Sequence, residues 1–219
     1  MNKKISELLQ ILERFTKDMP KPLTDIVIKE FGHSPFLILI SCLLSLRARD
    51  VVTIKIVRKL FKRAQTPQEI IKIPILELEE IIKPIGFYHT KARVLQAVSK
   101  EILEEFDGLV PDSEEKLLKI KGVGRKTAAL VLSQAFNKPA ICVDVHVHRI
   151  SNRLGLVKTK TPEQTEKALK KVIPQEKWLE INRLLVIWGQ NICTPISPFC
   201  SKCPLKLKIC PQIGVKTTR

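Results

Sequence analysis

Apolar residues recur at helical spacing, three or four positions apart, through most of this 219-residue chain. Proline, glycine, asparagine and aspartate separate the periodic stretches, and no convincing set of alternating strands is present. The pattern therefore predicts an all-α fold. The expected helices cover parts of residues 2–17, 22–31, 36–46, 51–64, 67–73, 76–83, 90–106, 113–120, 125–136, 145–154, 162–173 and 177–192.

Local signals at some helix ends refine this prediction, and one segment disputes it. Asp50 is expected to be the N-cap of the helix that begins at VVTIKIV. Asp112, with Glu115 three residues later, resembles a capping box. Residues 141–150 (ICVDVHVHRI) alternate apolar and polar side chains as a half-buried strand would, and periodicity alone does not decide between strand and helix.

The sequence gives no sign of export or of a membrane span. The first stretch of the chain has the pattern of an amphipathic helix and not of a signal peptide; its sequence is MNKKISELLQILERF. The longest apolar run, at 35–46, is well short of the roughly 20 residues that cross a bilayer, so we expect a buried core helix. We expect a cytoplasmic location, where the six cysteines would not form a disulfide framework.

The charge balance is strongly basic. Lysine and arginine number 38 against 22 acidic residues, a formal charge of +16. Such an excess favours a polyanionic partner, either nucleic acid or an anionic membrane surface, although a merely soluble basic protein has the same signature. The length allows one large domain or two small ones.

Two glycines interrupt the helical pattern in LLKIKGVGRKTAALVL, residues 117–132. Gly122 and Gly124 would let the backbone turn tightly and leave its amides uncovered, while the following helix contributes the positive end of its dipole. Such a turn can hold a nucleic-acid phosphate without reading sequence. An ordinary helix connection with a C-cap glycine is the alternative interpretation.

Lys126 lies at the start of the next helix, where the positive end of the dipole disfavours a cation. Partial burial would act in the same direction, and the neutral amine would be a nucleophile. Taken alone, a phosphate-binding lysine is the more common arrangement. Asp144 is the candidate carboxylate partner, although an aspartate before a helix is also a good N-cap.

The last part of the chain is rich in cysteine and lysine. Its four cysteines follow the spacing C-x6-C-x2-C-x6-C, with only one C-x2-C pair, which favours a 4Fe-4S cluster over zinc. Lys202, Lys206 and Lys208 lie between these cysteines, either as phosphate contacts or as a solvated surface. The candidate cluster ligands are Cys193, Cys200, Cys203 and Cys210. Cys42 and Cys142 lie in apolar surroundings and read as small buried hydrophobes.

Taken together, LLKIKGVGRKTAALVL, VDVHVHRISNRLGL and the four-cysteine tail resemble endonuclease III, an iron-sulfur DNA glycosylase and abasic-site lyase with a helix-hairpin-helix motif. SPFLILISCLLSLRARD and IIKPIGFYHTKA follow the family order as well. The resemblance implies two helical domains with DNA in the cleft between them. A six-helix barrel containing the hairpin would span residues 28–138, and an iron-sulfur cluster domain would combine 1–27 with 139–219. The segment around Asp144 then becomes the start of a helix.

The resemblance also implies a base-excision mechanism on double-stranded DNA that carries a damaged pyrimidine or an abasic site. Lys126 would attack C1′, expel the base and form a Schiff base that undergoes β-elimination, with Asp144 assisting. Phe87 and Arg47 would fill the gap left by the extruded nucleotide. Residues matching the hairpin's DNA contacts are Gly122, Val123, Gly124 and Arg125, and Lys202 and Lys206 would add phosphate contacts. We expect a monomer associated with the nucleoid.

Three positions depart from the family pattern. Arg47 replaces the glutamine of LLSAQATD, which changes the hydrogen bonds available to the opposite base. Val145 stands where many members have threonine, and the last cysteine spacing is x6 rather than x5. These departures bear on lesion preference and on the cluster.

Three rival interpretations remain open at this stage. A mismatch glycosylase would share the hairpin and the cluster but would lack the nucleophile that Lys126 provides. A non-catalytic DNA-binding protein would use Lys126 for charge alone and would form no covalent intermediate. Zinc in the tail of an active enzyme is the third, and it would leave the purified protein colourless.

Overall fold

The computed structural model describes residues 3–206 and 208–219, and the part it describes contains helices and no strands. In chain order the α-helices are α1 Lys3–Thr16, α2 Leu23–Phe31, α3 Pro35–Ser45, α4 Asp50–Arg63, α5 Pro67–Lys72, α6 Ile75–Ile82, α7 Tyr88–Glu105, α8 Glu114–Lys119, α9 Arg125–Phe136, α10 Val145–Arg153, α11 Pro162–Val172 and α12 Trp178–Asn191. Short 3-10 turns span Gln175–Lys177 and Cys200–Lys202.

The all-α prediction is confirmed, and every expected helix occurs with ends within two residues of those expected. Residue 2 of the first expected helix and residues 1, 2 and 207 of the expected cluster domain lie outside the described residues. The strand-like segment 141–150 is resolved in favour of a helix: Asp144 is the N-cap and α10 follows it. Its alternation does not reflect alternate burial, because the adjacent Ile141 and Cys142 are both buried whereas Val145 is 68% exposed.

Both capping predictions outside that segment are wrong by one residue. Asp50 is the first residue of α4, and Arg49 occupies the N-cap position in extended conformation. The N-cap of α8 is Ser113, whose hydroxyl accepts a hydrogen bond from the Lys116 amide. The Asp112 carboxylate instead forms an ion pair with the Lys138 ammonium group, at 2.6 Å. Asp112 therefore binds a residue that is distant in sequence and does not cap α8.

The chain divides into two compact units. The hairpin unit, as we name it, is Pro22–Lys138, and the cysteine unit combines the described residues of Met1–Lys21 with Pro139–Arg219. The expected start of the barrel domain, residue 28, falls inside α2, and Leu23 and Val27 of that helix belong to the core of the hairpin unit. The assignment of the units as a barrel and a cluster domain around DNA remains a prediction.

Helix α3 is the centre of the hairpin unit. Nine consecutive residues, Phe36–Leu44, are buried, and the helix packs against α2, α4, α7 and α9. The longest apolar run is therefore a core helix, as its sequence indicates. Across the described residues, no helix is long and apolar enough to span a bilayer.

The cysteine unit has its own core, in which α12 packs against both α1 and α10. Leu8, Leu12 and Trp188 are fully or almost fully buried there. The apolar face of the N-terminal helix thus closes a core built mostly from the second half of the chain, which makes this unit discontinuous in sequence.

Candidate active site

The two glycines lie in a tight turn between α8 and α9. The Val123 amide donates to the Ile120 carbonyl at 3.0 Å, and Gly122 has a φ of 98°. This conformation favours glycine, and a Cβ at Gly122 would meet Val94 Cγ1 at 3.0 Å. Val123 is buried in the core of the hairpin unit and anchors the turn. Gly122 therefore serves the tight turn that follows α8, whose C-cap is Ile120.

Gly124 has a different role, because its backbone does not require glycine. Its φ is −92°, and nothing lies within 4 Å of where a Cβ would be. It is the N-cap of α9 but offers no side chain to cap the helix, and the first turn of α9 contains no acidic residue. The positive end of this helix is thus open to an anion, with exposed Arg125 beside it.

Lys126 is the second residue of α9, and its side chain is exposed. Partial burial of this lysine is therefore not found in the structure. Its neighbours Thr127 and Ala128 are buried and fix the rotation of the helix. Lys126 is consequently presented on the same turn as the open helix end.

Asp144 is half-buried and caps α10. The amides of His146 and Val147 both donate to its Oδ1 atom, each at 2.8 Å. Capping thus engages one carboxylate oxygen, and the N-cap alternative is confirmed. Lys126 belongs to the hairpin unit and Asp144 to the cysteine unit, so their partnership remains a prediction.

Phe87 and Arg47 share an unusual feature that their sequence does not reveal. Both are non-glycine residues in the left-handed region, with φ of 63° at Phe87 and 54° at Arg47. Phe87 is 66% exposed, so it is not a core aromatic. Arg47 is exposed in the turn after α3. Strained residues that present large side chains to solvent are typical of functional sites.

Sequence reasoning missed a lysine that lies beside these two residues. Arg47, Phe87 and Gly122 line one open pocket together with Lys91 of α7. The Lys91 ammonium group donates to the carbonyls of Leu44 and Leu46, and burial lowers its pKa to about 8. The only signal in the sequence was its position in GFYHTKA, four residues after Phe87.

The four cysteines of the tail are free thiols that line one pocket in the cysteine unit, among apolar side chains. Burial raises the pKa of Cys200, Cys203 and Cys210, because desolvation disfavours the thiolate. The described residues contain no group of three or more metal-ligating side chains already arranged to hold an ion. Four soft sulfur donors around one pocket nevertheless suit a thiolate-bound group.

Two arginines of α10 support the first of these cysteines, and sequence reasoning missed both. Arg149 donates through Nε and Nη2 to the Cys193 carbonyl, at 3.0 and 2.7 Å. Arg153 lies 3.4 Å from the Cys193 sulfur through Nη1, and the same atom donates to the Thr194 carbonyl. Helix α10, which Asp144 caps, therefore also holds the turn that contains Cys193.

The lysines of the tail lie on its surface. Lys202, Lys206 and Lys208 are all exposed, and Lys202 ends the 3-10 turn that begins at Cys200. Both the phosphate-contact and the solvated-surface interpretations agree with this exposure. Cys42 and Cys142 are buried, as their apolar surroundings indicate.

Comparison with known proteins identifies relatives over nearly the whole chain. A family model described as HhH-GPD superfamily base excision DNA repair protein matches residues 40–175. Endonuclease III of Thermotoga maritima is 49% identical over 185 residues, which cover 82% of this chain and 87% of that protein.

Two solved structures have a similar fold. The structure of a non-covalent Endonuclease III-DNA complex aligns with a TM-score of 0.83 at 36% identity and covers 97% of both chains. A trapped Endonuclease III-DNA covalent intermediate aligns equally well, at 35% identity. On the family match and the identity to its relatives, this chain belongs to the HhH-GPD superfamily of base excision DNA repair proteins, within the endonuclease III family.

Proposed function

We propose that this protein is a DNA glycosylase with abasic-site lyase activity that removes oxidised or otherwise damaged pyrimidines from double-stranded DNA. The observation that carries the proposal is the first turn of α9, where an open, uncapped helix end lies beside the exposed amine of Lys126. A formal charge of +16 supports a polyanionic partner. The relatives include an endonuclease III trapped covalently on DNA.

Binding begins at the hairpin. The backbone from Gly122 to Arg125 holds a phosphate of the damaged strand, and Gly124 keeps this surface free of side-chain atoms. Because the contact is made by backbone amides and a helix dipole, it fixes position without selecting sequence. Lys202 and Lys206 add phosphate contacts from the surface of the cysteine unit. Affinity should therefore fall steeply with salt.

The damaged nucleotide then leaves the base stack, because its sugar is out of reach inside a duplex. Phe87 and Arg47, both exposed and both held in left-handed turns, fill the space that it vacates. Arg47 donates hydrogen bonds but accepts none, so it prefers acceptor atoms on the opposite base.

Lys126 then forms a bond from Nζ to C1′ as the glycosidic bond breaks, and the base departs with that electron pair and takes up a proton. Opening of the sugar ring gives a Schiff base, and loss of a C2′ proton expels the 3′ phosphate by β-elimination. Water finally releases the lysine. Asp144 supports deprotonation of the amine and the positive charge that develops on the sugar.

Cys193, Cys200, Cys203 and Cys210 would hold a 4Fe-4S cluster, which would cross-link the tail through four thiolates. Arg149 and Arg153 hold the Cys193 turn in place, and the exposed lysines lie on the same loop. The proposal includes action as a monomer in the cytoplasm, in association with the nucleoid.

Borohydride trapping tests the proposal. Wild-type protein is incubated with duplex DNA that contains either an oxidised pyrimidine or an abasic site, beside Lys126→Ala and the control Lys100→Ala. Lys100 is an exposed lysine of α7 that faces Glu104, so its loss should change nothing. We expect an adduct on both substrates with wild type and control, and none with Lys126→Ala.

Other outcomes separate the rival functions. An adduct on abasic DNA alone would indicate a lyase without this glycosylase activity. Release of a base without any adduct would indicate a monofunctional glycosylase. Tight binding without either reaction would indicate a DNA-binding protein and would refute the proposed mechanism.

A further inference from the structure

Lys91 connects two turns that are distant in sequence. Its side chain donates hydrogen bonds to the carbonyl of Leu44 at 2.6 Å and to that of Leu46 at 2.7 Å. The last carbonyls of a helix have no partner within it, and α3 ends at Ser45. Lys91 therefore caps the end of α3 from the first turn of α7.

The same residue contacts the other turn through its backbone. The Lys91 amide donates to the Phe87 carbonyl at 2.9 Å, which fixes the peptide group that follows the Phe87 side chain. Leu46 precedes Arg47, so the side-chain bond fixes the peptide group on the amino side of Arg47. One lysine thus holds a peptide group adjoining Arg47 and another adjoining Phe87, both of which have left-handed backbone.

Helix α7 also supports the hairpin, one turn beyond Lys91. Val94 Cγ1 lies 3.0 Å from the position that a Cβ of Gly122 would take. Glu101, further along α7, accepts a hydrogen bond from the Lys121 amide at 3.0 Å. Helix α7 is consequently a shared platform for the Arg47 turn, the Phe87 turn and the glycine hairpin.

We propose that Lys91 is a positioning residue that holds the Arg47 and Phe87 turns at a fixed separation, so that both side chains enter the duplex together as the damaged nucleotide leaves. The inference rests on the proposed function, which assigns gap filling to these two residues. In this proposal Lys91 acts through the two turns and not on the reacting sugar or base. Burial lowers its pKa to about 8, and the two carbonyls offset that loss of solvation.

The test compares substrates that differ only in the free energy needed to extrude the damaged nucleotide from the duplex. An oxidised pyrimidine is placed in a duplex either opposite its complementary base or mispaired, since a mispaired nucleotide flips more easily. Single-turnover rates of borohydride-trapped adduct are measured for wild type, Lys91→Met, Lys91→Arg and the control Lys100→Met. Methionine keeps the length of the side chain but donates no hydrogen bond, whereas arginine keeps the donors.

We expect Lys91→Met to slow the reaction of the paired lesion about tenfold to a hundredfold, the scale of misplaced reacting groups. The reaction rate of the mispaired lesion should fall far less in Lys91→Met. Lys91→Arg should recover most of the wild-type rate on the paired lesion, and Lys100→Met should match wild type on both substrates. Equal losses on both substrates would overturn the proposal, because they would indicate a general structural defect. An unchanged paired rate in Lys91→Met, or no recovery in Lys91→Arg, would overturn it as well.

Circular dichroism checks that each variant folds. If Lys91→Met does not fold, Lys91→Gln serves in the same comparison, because its shorter amide does not reach both carbonyls. Failure of the proposed function gives a different result: wild type itself would then form no adduct on either substrate.

Discussion

The two hairpin glycines should respond differently to substitution by alanine: Gly122→Ala should lose stability, and Gly124→Ala should lose DNA affinity. Gly122→Ala places a methyl group on a residue with φ of 98° and brings it within 3.0 Å of Val94 Cγ1. The backbone strain alone costs about 1–2 kcal/mol. Displacement of Val94 by a few tenths of an ångström adds to that, so we expect a loss of about 2 kcal/mol.

Gly124→Ala is the matched variant. Its φ of −92° suits any residue, and no atom lies within 4 Å of the added methyl group. Alanine restricts the unfolded chain by about 0.4–1 kcal/mol relative to glycine, and the poorer N-cap preference of alanine offsets this gain. The methyl group would nevertheless cover the open end of α9, so Gly124→Ala should keep its stability and lose DNA affinity.

Urea denaturation followed by far-ultraviolet circular dichroism measures the stability of both variants. Fluorescence is unsuitable, because both tryptophans, Trp178 and Trp188, lie in the cysteine unit and the hairpin does not. Binding to abasic duplex DNA is titrated in parallel for folded protein. Equal stability of the two variants would refute the strain argument, and wild-type affinity in Gly124→Ala would refute phosphate binding at this turn.

Three further predictions concern other parts of the molecule. Asp144→Asn should slow base release and leave the free energy of unfolding unchanged, because asparagine caps a helix as well as aspartate does. Asp144→Ala should slow base release and also lower the free energy of unfolding by about 1 kcal/mol in a denaturation experiment. Cys203→Ser should lose iron and visible absorbance in elemental and spectroscopic analysis, whereas Cys42→Ala should retain both; zinc in wild type would contradict this. For Lys91 the folded pKa of about 8 lies below the ordinary 10.5, so the unfolded chain binds more protons between these values. The free energy of unfolding of wild type, relative to Lys91→Met, should therefore rise from pH 8 to 10.5 in urea titrations, and a flat difference would contradict the burial of this amine.

Much of the fold was predictable because the relevant physics is local. Helical periodicity located α1 to α12, since one apolar face per helix must be buried whatever the helix packs against. The same periodicity failed to separate strand from helix at 141–150, where buried residues precede α10. The cap at Asp112 was missed by one residue, because the neighbouring Ser113 caps α8 while Lys138 binds the Asp112 carboxylate. The cap at Asp50 was missed because α4 begins one residue earlier than expected, and Arg49 in the N-cap position makes no side-chain cap hydrogen bond.

The candidate site divides in the same way. The sequence by itself singled out Lys126, Asp144, the two glycines and the four cysteines, because their residue types and spacing carry the chemistry. It gave no indication that Arg47 and Phe87 adopt left-handed conformations or that Lys91 joins their turns across 45 and 47 residues. The contacts of Arg149 and Arg153 with the Cys193 turn span 40 or more residues. Only the tertiary structure decided these contacts, since a hydrogen bond between distant segments depends on how whole helices pack and leaves no periodic trace in the chain.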